Sequence, residues 1–113
     1  GAATTAGDWI VPHQQRLYAA WVEGTSLVGA LLGAAGRHGE ALAALGRVLA
    51  AEPLREGVHR GYMQALVAAG EPARALAHAA ELERLLAREL GAGPAPDTRR
   101  LVERIRQQAA TPV

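Results

Sequence analysis

The 113-residue sequence contains no cysteine, lysine or phenylalanine, and only one serine and one methionine. Without cysteine, disulfide bonds and thiolate metal sites are excluded, while the redox compartment stays open. All 12 basic residues are arginine, and 11 acidic residues leave a formal net charge of +1. Because nucleic-acid-binding domains usually carry a strongly basic face, this balance argues against DNA binding by the chain itself.

Long apolar runs and targeting signals are also missing. The longest apolar stretch, Ser26 to Ala35, is far shorter than the roughly 20 residues that span a bilayer, so we expect no membrane and a cytoplasmic location. Residues 1–8 are small and weakly patterned, and we interpret them as a linker or a remnant of cloning. Residues 110–113 are predicted to be a disordered tail, and the chain is expected to be part of a longer protein.

Alanine, leucine, proline and glycine dominate what is present. Half of the residues are hydrophobic but only 4% are aromatic, which favours helices packed closely through small side chains. Proline precedes four amphipathic runs and glycine closes three, as at helix starts and ends: Pro12, Pro53, Pro72 and Pro96, and Gly36, Gly70 and Gly91. These proline and glycine positions predict five helices, with sequential helices antiparallel, at about 12–35, 38–51, 54–69, 72–90 and 96–109.

A 34-residue repeat organises these helices. Gly36 recurs at Gly70, and the pair Ala41–Leu42 recurs at Ala75–Leu76, which is the period of tetratricopeptide (TPR) repeats. We therefore predict an all-α fold over residues 9–109, built of TPR-like antiparallel helical hairpins. The fifth helix is expected to cap the last hairpin, because repeat arrays must hide the apolar face of their terminal repeat.

Two segments of the second half carry a family resemblance. They are Glu-Pro-Leu-Arg-Glu at 52–56, followed by His-Arg-Gly-Tyr-Met at 59–63, and Glu-Leu-Gly-Ala-Gly-Pro-Ala-Pro-Asp-Thr at 89–98. Together they closely resemble the bacterial transcriptional activation domain of SARP-type regulators, as do Asp8-Trp9 and Arg16-Leu17 upstream. The DNA-binding domain that normally accompanies this family is not in this chain, so contact with DNA is expected only through such an attached domain.

The resemblance implies a regulatory protein-interaction domain of a transcription activator of antibiotic-pathway type. Its partner is expected to be RNA polymerase or a second copy, which leaves a homodimer open. The alternative is a TPR-like adaptor unrelated to transcription.

Residues that could carry catalysis or bind a cofactor do not form a recognisable set. The four histidines fall on four different predicted helices, so the spacing of a metal site on one helix face is lacking. Ser26, the only serine, lies within a predicted helix and has no nucleophile turn around it. We therefore predict no enzyme, no cofactor and no metal, and His59 is expected to be packed.

Two surfaces are candidates for protein interaction. In TPR-like hairpins the first helix of each repeat lines the concave face, which selects Glu23, Ser26, Arg60 and Gln64. The second candidate is the arginine face of the last helix, Arg99, Arg100, Arg104 and Arg106. Glu56 and Arg60 are expected to form an i, i+4 ion pair. Trp21 is expected to pack the first helix on the second.

Overall fold

The computed structural model describes the backbone of residues 6–111 and the side chains of residues 11–111. Within these residues the chain forms five α-helices and no strand: α1 (Ala6–Ala34), α2 (His38–Ala51), α3 (Glu56–Ala68), α4 (Pro72–Leu90) and α5 (Pro96–Ala110). Helices α1 and α2 form one hairpin and α3 and α4 the next, while α5 packs on α4 and α3. The all-α, TPR-like prediction is confirmed.

The two hairpin turns repeat in atomic detail. Gly36 and Gly70 both have φ +80°, in the left-handed region that only glycine adopts readily. The amide of the next residue donates back to a helical carbonyl in each turn, Arg37 to Leu32 at 2.9 Å and Glu71 to Leu66 at 2.9 Å. These bonds satisfy carbonyls that a helix end leaves free. The 34-residue period is therefore a structural repeat.

Of the four helix starts that were predicted from proline positions, two are correct and two are wrong. Pro72 and Pro96 begin α4 and α5, but Pro12 lies inside α1, which begins at Ala6 rather than at residue 12. A proline in a helix removes one backbone hydrogen bond, and the rest of this 29-residue helix continues around it. Pro53 belongs to the turn before α3, which begins at Glu56 rather than at residue 54.

The hydrophobic core consists of two clusters of buried residues. The larger joins α3, α4 and α5, and contains Met63, Leu66, Ala75, Ala79, Leu82, Leu86, Leu101, Val102 and Ile105. The smaller joins the first hairpin to α3 through Val22, Leu45, Val48 and Val58. Three of the buried residues lie on α5, so the fifth helix covers the apolar face of the second hairpin as a cap.

Helix α1 keeps one apolar side open to solvent. Trp21 is 41% exposed and stacks on Tyr18 with ring centroids 5.9 Å apart, so the prediction that Trp21 packs α1 on α2 is wrong. Val22, the next residue, takes that place in the core. The segment Val11–Ala34 is long and apolar enough to cross a membrane by length and composition alone, which is weak evidence because soluble helices also meet this standard.

Candidate interaction groove

A groove of about 640 Å³ runs between α1 and α3, the first helices of the two hairpins. Small residues form both of its walls: Gly29, Ala30, Gly33 and Ala34 on α1, and Gly57, Gly61, Ala65 and Ala68 on α3. The floor includes Leu45 of α2, against which α1 packs very closely. A Cβ atom on Gly29 would lie 2.8 Å from the Leu45 side chain, so this glycine sets the approach of the two helices.

Polar groups gather at one end of the groove. Because α1 and α3 are repeat equivalents and run in the same direction, Glu23 of α1 lies level with Gly57 of α3, near Arg55. Ala34 and Ala68 lie at the opposite, apolar end. The groove therefore offers a partner two opposite charges at one end and, beyond them, small apolar walls interrupted by Gln64.

Three of the four predicted concave residues line this groove. Glu23 and Gln64 are exposed, and Ser26 is half-buried with its hydroxyl donating to the carbonyl of Val22 at 2.7 Å. The fourth, Arg60, is absent from the groove lining. Its guanidinium is turned towards α5, where it donates to Thr98 Oγ1 at 3.0 Å.

Arg60 belongs to a partly buried polar cluster that we call the Thr98 clasp, formed by Glu56, Arg60, Ala95 and Thr98. Thr98 is fully buried and donates to Glu56 Oε2 at 2.7 Å while accepting from Arg60. The same Glu56 oxygen accepts from the amide of Ala95 at 3.0 Å. The predicted pairing of Glu56 with Arg60 is thus replaced by bonds from both residues to Thr98, which fix the start of α5 on α3.

The arginine face of α5 is divided between two smaller grooves. Arg100 and Arg104 share a groove of about 480 Å³ with Arg60 and Gln64 of α3. Arg99 and Arg106 line another of about 340 Å³ beside α4. Several of these charges are already engaged: Arg100 pairs with Asp97, Arg106 with Glu103, and Arg99 donates to the Pro94 carbonyl. Gln64 lines both the main groove and the first of these, so it joins the two candidate surfaces.

Two histidines meet in the second hairpin, a contact that the sequence analysis missed. His59 is buried, as expected, and its Nδ1 lies 2.9 Å from His78 Nε2, while its Nε2 lies 2.7 Å from the Pro53 carbonyl. A carbonyl only accepts, so His59 Nε2 carries a proton and Nδ1 accepts from His78. Burial and the neighbouring His59 lower the pKa of His78, against a smaller opposing effect of Glu81.

The pair lies on different helices, but both histidines are about ten residues from the turn at Gly70. Pairing α3 with α4 as antiparallel helices around this turn would therefore have predicted that His59 and His78 lie close together. The described residues contain no group of three or more histidine, cysteine, aspartate or glutamate side chains arranged to hold a metal ion.

The model of the bacterial transcriptional activator domain family matches residues 1–106. The chain is also similar to the regulatory protein AfsR of Streptomyces griseus, with 46% identity over 70 residues, which is 62% of this chain and 7% of that protein. It has the same 46% identity over 72 residues to the regulatory protein AfsR of Streptomyces coelicolor, covering 64% of this chain and 7% of the relative.

The chain thus spans a small fraction of the length of these relatives. No solved structure matches it. The family model covers all five helices up to the last turn of α5, including the groove, the Thr98 clasp and the histidine pair. The chain therefore belongs to the bacterial transcriptional activator domain family.

Proposed function

We propose that this activator domain works by binding another protein in the groove between α1 and α3. The observation that supports this most is the groove itself, whose walls are small residues with Leu45 beneath them and with Glu23 and Arg55 at one end. Small walls let another helix approach closely, and a preformed groove lowers the ordering cost of binding. The fitting partner is an amphipathic helix with an apolar face and a polar end.

Recognition accounts for the polar residues better than catalysis does. The Ser26 hydroxyl donates its proton to the Val22 carbonyl of its own helix, and the histidine pair is held by the Pro53 carbonyl away from the groove. No nucleophile and base within the groove are in hydrogen-bonding contact in the described residues, as nucleophilic catalysis would require. We therefore propose that the protein is a cytoplasmic regulator that has no enzymatic activity and reaches DNA through an attached domain.

RNA polymerase and a second regulator molecule are the two partners in question. Membership of the activator domain family favours transcription over the adaptor alternative. We propose RNA polymerase contact as the activating step, with self-association as the competing use of the groove.

Ala30→Arg in the intact regulator tests the groove directly. Ala30 is exposed on the α1 wall, so an arginine there fills the groove without disturbing the core. Ala43→Arg is the matched control, because Ala43 is an exposed alanine of α2 that does not line the groove. We expect Ala30→Arg to lower reporter activation by about tenfold or more, equivalent to ~1.4 kcal/mol of lost binding, with promoter binding and melting temperature unchanged.

The outcomes separate the partners. Loss of polymerase pull-down by Ala30→Arg, with an unchanged sedimentation coefficient of the regulator, supports polymerase contact. A drop from dimer to monomer identifies the groove as a self-association surface instead. Normal activation by Ala30→Arg contradicts the groove proposal, and the joint arginine and glutamine surface of Gln64, Arg100 and Arg104 then becomes the candidate.

The polar residues are tested separately because Arg60 is bound in the Thr98 clasp. Glu23→Arg and Gln64→Glu change exposed groove residues and should reduce activation without changing stability. Charge reversal at Arg60 is expected to lower the melting temperature as well, so it reports on the fold rather than on the partner. Ser26→Ala should have little effect, since its hydroxyl already bonds to its own helix.

A further inference from the structure

A second groove lies beside the first, on the other side of α3. This groove between α3 and α5, which we call the α3/α5 groove, has a volume of about 480 Å³ and shares the exposed side chain of Gln64 with the groove between α1 and α3. Its apolar part is Leu101, which is only 6% exposed. The rest of its lining is polar: Arg60 and Gln64 of α3, and Asp97, Arg100, Glu103, Arg104 and Gln107 of α5. A partner that leaves the first groove over Gln64 therefore passes from small apolar walls to charged ones.

The two carboxylates of this lining are already paired within α5. Asp97 forms an ion pair with Arg100, and Glu103 pairs with Arg106 at 3.7 Å. Arg104 is exposed and forms no ion pair or hydrogen bond with any residue that the structure describes. The α3/α5 groove therefore contains one cation whose charge nothing in its surroundings balances.

The spacing of the arginines gives a second reason to expect an anion here. Arg100 and Arg104 are four residues apart, so they project from the same side of α5, and like charges at this spacing weaken a helix. A negative group lying between them would remove that repulsion. The exposed pair of Arg100 with Asp97 contributes little, so Arg100 can exchange Asp97 for a carboxylate of a partner at small cost.

The rest of the lining selects a carboxylate on a polypeptide over the phosphates of a nucleic acid. Asp97 and Glu103 lie in the same lining and would repel a polyanion, because three arginines against two carboxylates leave an excess of only one positive charge. The side-chain amides of Gln64 and Gln107 both donate and accept hydrogen bonds, as the backbone of a bound polypeptide does. An isolated acidic side chain on a peptide segment matches this charge and these amides.

We propose that the α3/α5 groove binds an acidic segment of a partner protein, with Arg104 and Arg100 holding its carboxylates. This rests on the proposed function, since the partner is the protein whose apolar helix lies between α1 and α3, and the acidic residues follow that helix over Gln64. Arginine binds a carboxylate through two parallel hydrogen bonds. The apolar neighbour Leu101 lowers the competition from water at this point.

A charge series at Arg104 in the intact regulator tests the need for a cation. Arg104 is chosen over Arg60 because Arg60 is already bonded to Thr98. Reporter activation should fall in the order Arg104→Lys, Arg104→Gln, Arg104→Glu, with a loss of at least about tenfold for the last and with promoter binding and melting temperature unchanged. Arg47→Glu is the matched control, because Arg47 is an exposed arginine of α2 that has no ion pair among the described residues and lines neither groove.

The control should change activation less than twofold. Activation by Arg104→Glu within twofold of normal overturns the proposal. Equal losses in Arg104→Gln and Arg104→Glu also overturn it, because they would show that the size of the side chain matters and its charge does not.

Cross-linking identifies the chemical group that position 104 faces. The domain contains no lysine, so Arg104→Lys introduces its only side-chain amine. A carbodiimide joins such an amine directly to a carboxylate that contacts it. In the complex of the intact regulator with RNA polymerase, we expect cross-links from position 104 to aspartate or glutamate of the polymerase, located by peptide mass spectrometry. Their yield should be at least about tenfold higher than that from Arg47→Lys.

Three results of this experiment would overturn the proposal. Equal yields from positions 104 and 47 show that no acidic segment occupies the α3/α5 groove. Cross-links from position 104 only to another regulator molecule assign the groove to a second copy. Acetylation of the amine at position 104 that duplex DNA slows in the absence of polymerase assigns it to nucleic acid.

Adding Ala30→Arg separates this proposal from the one it rests on. If the cross-link from position 104 persists in the double variant, the acidic contact is supported and the groove between α1 and α3 is not its companion site. If Ala30→Arg abolishes activation while Arg104→Glu leaves it normal, the groove between α1 and α3 is supported and only the acidic segment is overturned.

Discussion

Thr98→Val removes one hydroxyl from the Thr98 clasp while keeping the shape of the side chain. The lost group makes two hydrogen bonds to charged partners, Glu56 at 2.7 Å and Arg60 at 3.0 Å. Bonds to charged groups each contribute about 1.5–3 kcal/mol. Part of this is recovered, because Glu56 keeps the amide of Ala95 and the new methyl group contributes about 0.8 kcal/mol of apolar burial. We expect a net loss of at least about 2 kcal/mol in the free energy of unfolding.

For a domain of this size, that loss corresponds to a drop of about 10–20 °C in melting temperature, measured by circular dichroism. Thr98→Ser keeps the hydroxyl and loses a buried methyl group, so it should cost only about 1 kcal/mol. Thr111→Val is a matched control, since Thr111 is an exposed threonine whose hydroxyl also donates, to Gln107, and its loss should change stability by less than about 0.5 kcal/mol. If Thr98→Ser is more destabilising than Thr98→Val, the hydroxyl bonds do not hold α5 in place and the reasoning fails.

Other perturbations address the cap, the helix contact and the histidine pair. Deleting residues 96–113 uncovers the core beneath α5, whose three large apolar side chains contribute about 1.5–3 kcal/mol each, so the truncated chain should lose its cooperative melting transition. Gly29→Ala should destabilise by about 1–3 kcal/mol in urea titrations because its Cβ would meet Leu45 at 2.8 Å, whereas Gly24→Ala should stabilise the isolated domain. Because the pKa of His78 is lowered in the folded chain, the unfolded chain binds the proton more readily. The contribution of neutral His78 to the free energy of unfolding should therefore be fully present above the usual pKa of 6.5 and be lost as the pH drops below it. The His78→Gln variant should show a smaller loss. An equal fall in that variant would assign the acid sensitivity to other groups.

The local parts of this architecture were predictable because they depend on neighbouring residues. Pro72 and Pro96 begin helices and Gly36 and Gly70 end hairpin helices, since these residue types restrict or free the backbone where they stand. Pro12 misled the prediction for the same reason. A proline is compatible with a helix start, but whether the preceding residues are also helical depends on their own propensity and packing.

The contacts between distant segments were not predictable from spacing. Glu56 and Arg60 are correctly spaced for an i, i+4 pair, but α5 returns across α3 and brings Thr98 between them, 42 residues from Glu56. The same return removes Arg60 from the groove to which the helical pattern assigned it. Trp21 was misassigned because a hydrophobic stripe shows which residues avoid water, but not which neighbour covers them. The assignments of Glu23, Ser26, Gln64 and the α5 arginines to partner binding stay predictions, and so do the boundaries at residues 8 and 110.

The way α1 is anchored bears on how a partner would meet the groove. Val22 and Gly29 both hold α1 against α2: Val22 is 1% exposed in the core beside Leu45, and a Cβ atom on Gly29 would lie 2.8 Å from the same side chain. These two contacts are seven residues apart, about 10 Å along the helix axis at a rise of ~1.5 Å per residue, and Glu23 and Ser26 of the groove lie between them. A partner would therefore meet a wall that is held from behind at both ends, and its own segment would have to adapt to the groove.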